Sequence, residues 1–292
     1  MNKKKILFVN ESLTLAGGEK SLIALLTTID PDKYEIDLQL LKYGGELDEF
    51  IPKSVNILPP IPYTQFAEQS WRKNLLSLKR LSNFSLLYAK LKYSLSLRKG
   101  TFNHPEKAQL YWESVENVVK TNSKKYDVAI AYAQGIPTFY VADKLEAKQK
   151  IAWVNVNVEF KPDNKIFQKS YYNKYDSIVP VSEDTNRHLN SIFPNFKNKY
   201  FTIYDIIDYN SIVKMSMLKN NLFDNRSFNI LTVARLNKPQ KGYDIVLETC
   251  KILKEKNIDF NWYAIGEGPY KPEMLEYINK YSLNDHFTLL GT

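Results

Sequence analysis

Arg235 and Lys241 are the residues whose types and spacing speak most directly of chemistry. In the run Asn229-Ile-Leu-Thr-Val-Ala-Arg-Leu-Asn-Lys-Pro-Gln-Lys-Gly-Tyr-Asp244, the arginine falls just past an apolar strand and Lys241-Gly242 just before the next helical pattern. Ligands of open α/β sheets bind beyond the carboxyl ends of the strands, so two cations placed there are positioned to hold a diphosphate. Gly266-Glu267-Gly268-Pro269 follows the next strand at the same edge, where glycines let a loop pass close to a nucleotide, or simply turn. Gly17-Gly18-Glu19-Lys20 stands between the first strand and the first helix. Paired glycines there offer amide N–H groups to an anion or a sugar hydroxyl, although a plain strand-to-helix turn has the same look. The pattern is not Gly-x-Gly-x-x-Gly, so a nicotinamide or flavin site is not indicated.

Other chemistry-bearing residues carry less. Asp30-Pro31-Asp32 has the spacing of an Asp-x-Asp metal motif but sits at a helix end ahead of a strand, where it reads as an Asp-Pro turn. His104, His188 and His286 are scattered without metal-ligand spacing, and no nucleophilic triad is evident, so neither a metal nor another cofactor is expected. The single Cys250 excludes an internal disulfide and suits a reducing compartment.

Positioning these residues requires an alternation of buried strands and helices. Ile6 to Val9, Tyr34 to Leu41, Val55 to Leu58, Tyr126 to Ala133, Ile151 to Val156, Ser177 to Val181 and Phe201 to Ile207 read as strands, separated for the most part by helical patterns. A second round starts with a strand over Asn229 to Val233. It continues with a helix over Tyr243 to Lys256, a strand over Phe260 to Ile265, a helix over Lys271 to Tyr281 and a strand over Phe287 to Leu290. The fold class is α/β with two Rossmann-like domains and parallel sheets. The expected division is a first domain over 1–212 with an insertion at 63–125, a linker over 213–227, and a second domain over 228–292 that stops after its third strand, as though incomplete.

The 292 residues carry 40 Lys plus Arg against 32 Asp plus Glu, a net charge of +8. The excess is local. From Trp71 to Lys99 the chain holds Arg72, Lys73, Lys79, Arg80, Lys90, Lys92, Arg98 and Lys99 and no acid, and without this segment the two signs balance. Trp71, Leu75, Leu78 and Leu81 share one helical face, and Phe84, Leu87, Tyr88, Leu91 and Leu95 another. Two readings stand: stripes packed on the first domain with solvated cations, or a basic amphipathic pair on an anionic membrane surface, with Arg72, Lys73, Lys79, Arg80, Lys90 and Lys92 facing the lipid. Nucleic-acid binding ranks lower, because the cations alternate with Leu and Tyr and come with no nucleic-acid-binding motif. The four apolar residues after Lys5 are too few for a signal peptide, and no apolar run reaches the roughly 18 residues of a membrane span, so a cytoplasmic, at most peripheral, protein is expected.

The ordered set of short motifs resembles the family 4 retaining glycosyltransferases of the GT-B fold. The set comprises Gly17-Gly18-x-Lys20, Ile151-Ala-Trp-Val154, Val181-Ser-Glu183, Ile203-Tyr204 with Ile206-Ile-Asp208, Val233-Ala-Arg-Leu236, Lys241-Gly-Tyr-Asp244 and Gly266-Glu-Gly-Pro269. The resemblance implies a two-domain enzyme, its active site between an N-terminal domain that holds the acceptor and a C-terminal domain that holds a nucleotide-diphospho-sugar, here a UDP-sugar. Arg235 and Lys241 would bind the donor diphosphate, with Gly17 and Gly18 beside it and Gly266 and Gly268 near the base. The acceptor would be a glycan or lipid-linked saccharide of cell-surface polysaccharide biosynthesis.

Three departures accompany it. Asn155 and Asn157 stand where the family commonly has a histidine near the reacting sugar and then an aspartate, and a carboxamide cannot shuttle a proton. Tyr204-Asp205 replaces the family's Tyr-Asn. The family's pair of glutamates separated by seven residues would fall beyond Thr292, and the literal match at Glu11 and Glu19 spans the first glycine loop instead. A truncated transferase is one expectation; a non-catalytic glycan- or partner-binding protein is the alternative.

Overall fold

The computed structural model describes residues 3–70, 72–73, 83–218 and 228–292. It divides into two compact units, Met1–Tyr209 and Asn210–Thr292, where the sequence-based boundary is 212. In the first unit, β1 Lys4–Asn10, β2 Tyr34–Leu40, β3 Val55–Ile57, β4 Lys125–Ala131, β5 Glu146–Val154 and β6 Ser177–Pro180 form one parallel sheet in the order β3-β2-β1-β4-β5-β6. This is the doubly wound arrangement, with its switch point between β1 and β4. Alternating residues explain why helices cover both faces. Leu7, Val9, Ala129, Ala131, Ala152 and Val154 enter one core; Phe8, Ile130 and Trp153 point the other way, towards Leu22 and Leu26 of helix α1, Gly17–Thr28.

The insertion between β3 and β4 carries helices α2 Pro62–Glu68, α3 Asn83–Leu97 and α4 His104–Val115. A capping box fixes the start of α4: the Asn103 side chain accepts from the Glu106 amide, and the Glu106 carboxylate accepts from the Asn103 amide. Trp112 and Val115 of α4 then join the first core. The expected Trp71-to-Leu81 stripe, with Lys79 and Arg80, lies outside the described residues. Helices α5 Ile136–Lys144, α6 Pro162–Tyr172 and α7 Glu183–Ile192 complete the unit.

One expected strand does not form. Phe201 and Ile203 donate their amides to the Ile178 and Pro180 carbonyls, both at 3.1 Å, as a seventh parallel strand would. The reciprocal bond would need an amide N–H on residue 180, which is proline, so pairing stops at an isolated Ile178–Tyr200 bridge and residues 201–208 run as a loop.

Beyond helix α8, Tyr209–Ser216, the second unit holds β7 Phe228–Val233, the short α9 Lys238–Lys241, α10 Tyr243–Glu255, β8 Phe260–Ile265, α11 Lys271–Lys280 and β9 Phe287–Gly291. Its parallel sheet has the order β7-β8-β9. The expected linker overlaps the end of α8, and its part at 219–227 lies outside the described residues. Leu236, Tyr243, Leu247, Phe260, Trp262, Met274 and Phe287 form a core of its own. Cys250 is buried there, and burial pushes its thiol up to about 11, so it is an inert apolar residue at neutral pH.

A buried carboxylate ties the first sheet to its neighbours. Asp37 on β2 accepts from Tyr126 Oη at 2.7 Å, Asn56 Nδ2 at 2.8 Å and Lys124 Nζ at 2.8 Å. Burial alone would raise its carboxyl, but the bonds from Lys124, Tyr126 and Asn56 outweigh it and hold the group below its ordinary value of 3.8. A depressed folded-state pKa contributes stability above the unfolded value, and that contribution is lost as pH falls through the folded one. Asp37→Asn is expected to cost about 2 kcal/mol at neutral pH, below the range for fully buried pairs because Lys124 keeps solvent contact. In denaturant unfolding across acid pH, the difference from wild type should shrink below about pH 4; a constant difference would exclude the ionised role.

Candidate functional site

At the carboxyl edge of the first sheet, helix α1 begins at Gly17 and Gly18 with an extended alanine, Ala16, at its N-cap, which offers no side-chain cap. Gly17 faces open space, whereas a Cβ on Gly18 would lie 3.1 Å from Asn155 Nδ2. Asn155 follows β5. Its Nδ2 donates to the Tyr132 carbonyl at 2.9 Å, which orients the carboxamide and leaves Oδ1 buried without a partner among the described residues. Gln134 holds the backbone here: its Oε1 accepts from the Asn155 and Val156 amides, and its Nε2 donates to the Val156 carbonyl. Gly18 and Asn155 thus lie against one another, beside a helix N-terminus suited to an anion. The unsatisfied Oδ1 is an acceptor for a ligand hydroxyl or amide. Asn157 instead donates to Asp184 Oδ2 at 3.0 Å.

The first turn of α1 also meets the 201–208 loop. Ser21 Oγ lies 3.0 Å from Tyr132 Oη and accepts from the Ile206 amide at 3.1 Å. Tyr132 stacks on Trp153 with ring centroids 4.9 Å apart, and burial pushes its phenol up to about 12, so it stays neutral and cannot serve as a base.

Beside the switch point lies a cavity of about 200 Å³ lined by Glu11, Tyr93, His104, Lys107, Ala108 and Ile136. Glu11 immediately follows β1, His104 and Lys107 open α4, and Tyr93 reaches in from α3. Burial and then Glu11 raise the Tyr93 phenol, so tyrosine, carboxylate, imidazole and ammonium bound one hollow, a donor and acceptor set suited to a hydroxyl-rich ligand. The sequence names Glu11 and His104 without assigning either to a site, and nothing in it points to Tyr93, Lys107, Ala108 or Ile136. Glu11 alone carried a signal, its place at the end of the first strand.

In the second unit the functional edge is cationic. Arg235 follows β7 and is exposed, its guanidinium donating to Gln240 Oε1 at 3.4 Å, its one hydrogen bond among the described residues. Lys241 is exposed, with no carboxylate partner among the described residues, two residues before the start of α10 at Tyr243, whose N-cap Gly242 has no side chain. Lys238, which the sequence reading did not single out, lies over the Tyr270 ring at 5.5 Å. Three cations and a helix N-terminus therefore lie within one short stretch, without a carboxylate partner among the described residues to neutralise them.

Gly266 and Gly268 have a local packing role. A Cβ on Gly266, whose φ is +150°, would lie 2.0 Å from the Ala234 carbonyl oxygen, and one on Gly268 would lie 2.3 Å from that of Leu236. Their small size lets the loop after β8 press against the loop that carries Arg235. The Ala234 amide donates to Ile265, Leu236 to Glu267 and Tyr270 to Leu236 across this seam.

The basic insertion residues fall into two groups. Arg72 and Lys73 are exposed. Lys90 Nζ donates to the Gln69 carbonyl at 2.7 Å and Lys92 Nζ to the Glu113 carbonyl at 2.5 Å, so both fasten α3 to the C-terminal ends of α2 and α4. Asp30 likewise serves a turn, its Oδ1 accepting from the Asp32 amide at 2.9 Å.

Residues 214–292 match the family model described as Glycosyl transferases group 1. An uncharacterised glycosyltransferase of Methanocaldococcus jannaschii is 29% identical over 135 residues, 43% of this chain and 32% of that protein. The Escherichia coli K12 protein WcaL, assigned by name to colanic acid biosynthesis as a glycosyltransferase, is 34% identical over 62 residues, 21% of this chain and 15% of its own. The chain spans about a third or less of the length of these curated relatives. Among solved structures, Anabaena HepE in complex with UDP and glucose superposes with a TM-score of 0.58 at 16% identity, over 99% of this chain and 69% of that one. A Staphylococcus aureus TarM mutant with UDP, fondaparinux and a GlcNAc-glycerol gives 0.56 at 13% identity, over 99% and 77%. The α/β fold, with its two parallel sheets, is thus that of the GT-B glycosyltransferases, and residues 214–292 carry the group 1 glycosyltransferase pattern.

Proposed function

We propose that the chain is a glycosyltransferase, or part of one, that takes a sugar from a UDP-sugar with retention of configuration and passes it to a glycan or lipid-linked acceptor in cell-surface polysaccharide biosynthesis. The observation that carries this reading is that Arg235 and Lys241, both exposed and without a carboxylate partner among the described residues, precede the start of α10 inside the segment that matches the group 1 model. In this role the two cations and the α10 amides hold the diphosphate and stabilise the charge that develops on the leaving group, with no metal or cofactor required. Binding of UDP by HepE and TarM supports the choice of nucleotide. The cavity of Glu11, Tyr93 and His104 is assigned to the acceptor, and the free Asn155 Oδ1 to a sugar or acceptor hydroxyl.

Asn155 also favours a second reading, a protein that binds a glycan or a partner without catalysis, because a carboxamide relays no proton. Calorimetric titration with UDP and UDP-glucose, paired with an assay for released UDP, separates the two. Saturable binding of both ligands with UDP release in the presence of acceptor glycans is the expected result. Binding without release would leave the second reading, and no binding of either ligand would remove the donor assignment.

A further inference from the structure

Helix α3 is apolar on two sides. One side is used within the first unit: Ala89 is buried, Leu86 packs on the core, and the Tyr93 ring stands edge-on to Tyr111 at 5.3 Å. On another side Phe84, Tyr88, Leu91 and Leu95 are 42% to 70% exposed. At 3.6 residues per turn these four fall within a sector of about 60° and run along roughly 16 Å of helix, a continuous stripe rather than scattered surface residues. Among the described residues nothing covers it. The sequence periodicity allowed this stripe to be core; the structure turns it outward.

The charge of the segment that carries the stripe selects its partner. No acid occurs from Trp71 to Lys99, and Arg72, Lys73, Arg98 and Lys99 are exposed. Nucleic acid would meet the cations but offers nothing to four large apolar side chains. A bilayer with anionic headgroups satisfies both, since hydrocarbon receives the stripe and phosphate receives the cations. Lys90 and Lys92, bonded to the ends of α2 and α4, anchor the helix so that docking carries the whole unit with it. No helix among the described residues is long and apolar enough to cross a membrane, so the contact would be interfacial.

We propose that α3 is an interfacial docking helix whose Phe84, Tyr88, Leu91 and Leu95 enter the headgroup boundary of an anionic bilayer while Arg72, Lys73, Arg98 and Lys99 pair with lipid phosphate. Tyr93 on the inner side lines the Glu11 cavity, so docking sets that cavity one helix diameter from the lipid surface. The inference does not depend on the transferase reading.

Co-sedimentation of the full chain with phosphatidylcholine vesicles, with and without phosphatidylglycerol, tests it. Binding is expected only with the anionic lipid and should weaken as salt rises. The variants Leu91→Glu/Leu95→Glu and Arg98→Glu/Lys99→Glu alter exposed side chains, and each should reduce the partition coefficient about tenfold or more. Circular dichroism checks that they remain folded. Equal binding to both vesicle types, or binding unchanged in either variant, would overturn the proposal. So would absence of binding together with sedimentation as a dimer that Leu91→Glu/Leu95→Glu converts to monomer, which would make the stripe a contact between copies.

Discussion

Gly266→Ala is expected to destabilise the second unit by about 3 kcal/mol, among the larger effects a single methyl can have. Two costs add. The residue has φ +150°, where a side chain is strained, and its Cβ would meet the Ala234 carbonyl oxygen at 2.0 Å, backbone that cannot swing aside as a flexible side chain would. Relieving the clash means parting the two loops, which loses the bonds from Ala234 to Ile265 and from Leu236 to Glu267. For a unit of this size the loss corresponds to a melting shift of roughly 15 °C. Gly268→Ala should act in the same direction, through the 2.3 Å approach to Leu236. Gly17→Ala is the control: open space surrounds that position at the first residue of a helix, so its stability should stay within about 0.5 kcal/mol of wild type. Hydrogen exchange over residues 228–292 reads the effect locally. If Gly266→Ala matched wild type there, the seam would not be as tight as its geometry indicates.

That seam also shows what the sequence could and could not convey. Gly266-Glu-Gly-Pro269 is visible as a motif at a strand end, but its reason lies in the backbone of residues 234–236, some thirty positions earlier. The alternation of strands and helices was legible because strands buried on both faces read as apolar runs, and all six strands of the first sheet follow from it. The seventh failed on a chemical detail of its neighbour, the missing amide of Pro180, which no feature of residues 201–207 announces. Periodicity likewise located the Phe84-to-Leu95 stripe without saying whether anything lies opposite it. The Glu11 cavity was least accessible of all. Its walls come from residues 11, 93, 104 and 136, which only the crossover from β1 through the insertion to β4 brings together.

Alanine at Arg235 or Lys241 is expected to weaken UDP binding by roughly tenfold to a hundredfold each, the range of one charge-assisted hydrogen bond to an oxyanion. Neither change should disturb the fold, because both side chains are exposed, Arg235 has a single 3.4 Å contact and Lys241 has no carboxylate partner among the described residues. An effect on affinity with unchanged melting is therefore the signature. The phosphates give the assay its internal control. Uridine lacks them and should bind the variants and the wild type alike, while UMP should lose less than UDP. Two cations gripping one diphosphate act as a unit, so the double variant should fall short of the sum of the single losses. Arg235→Lys keeps the charge but not the planar fork, and should recover only part of the affinity. Raised salt should erode the difference between wild type and variants, since the site faces solvent. A double variant that bound UDP as tightly as the wild type would move the diphosphate away from the β7 edge and leave the uncapped start of α1, beside Asn155, as the anion site to test next.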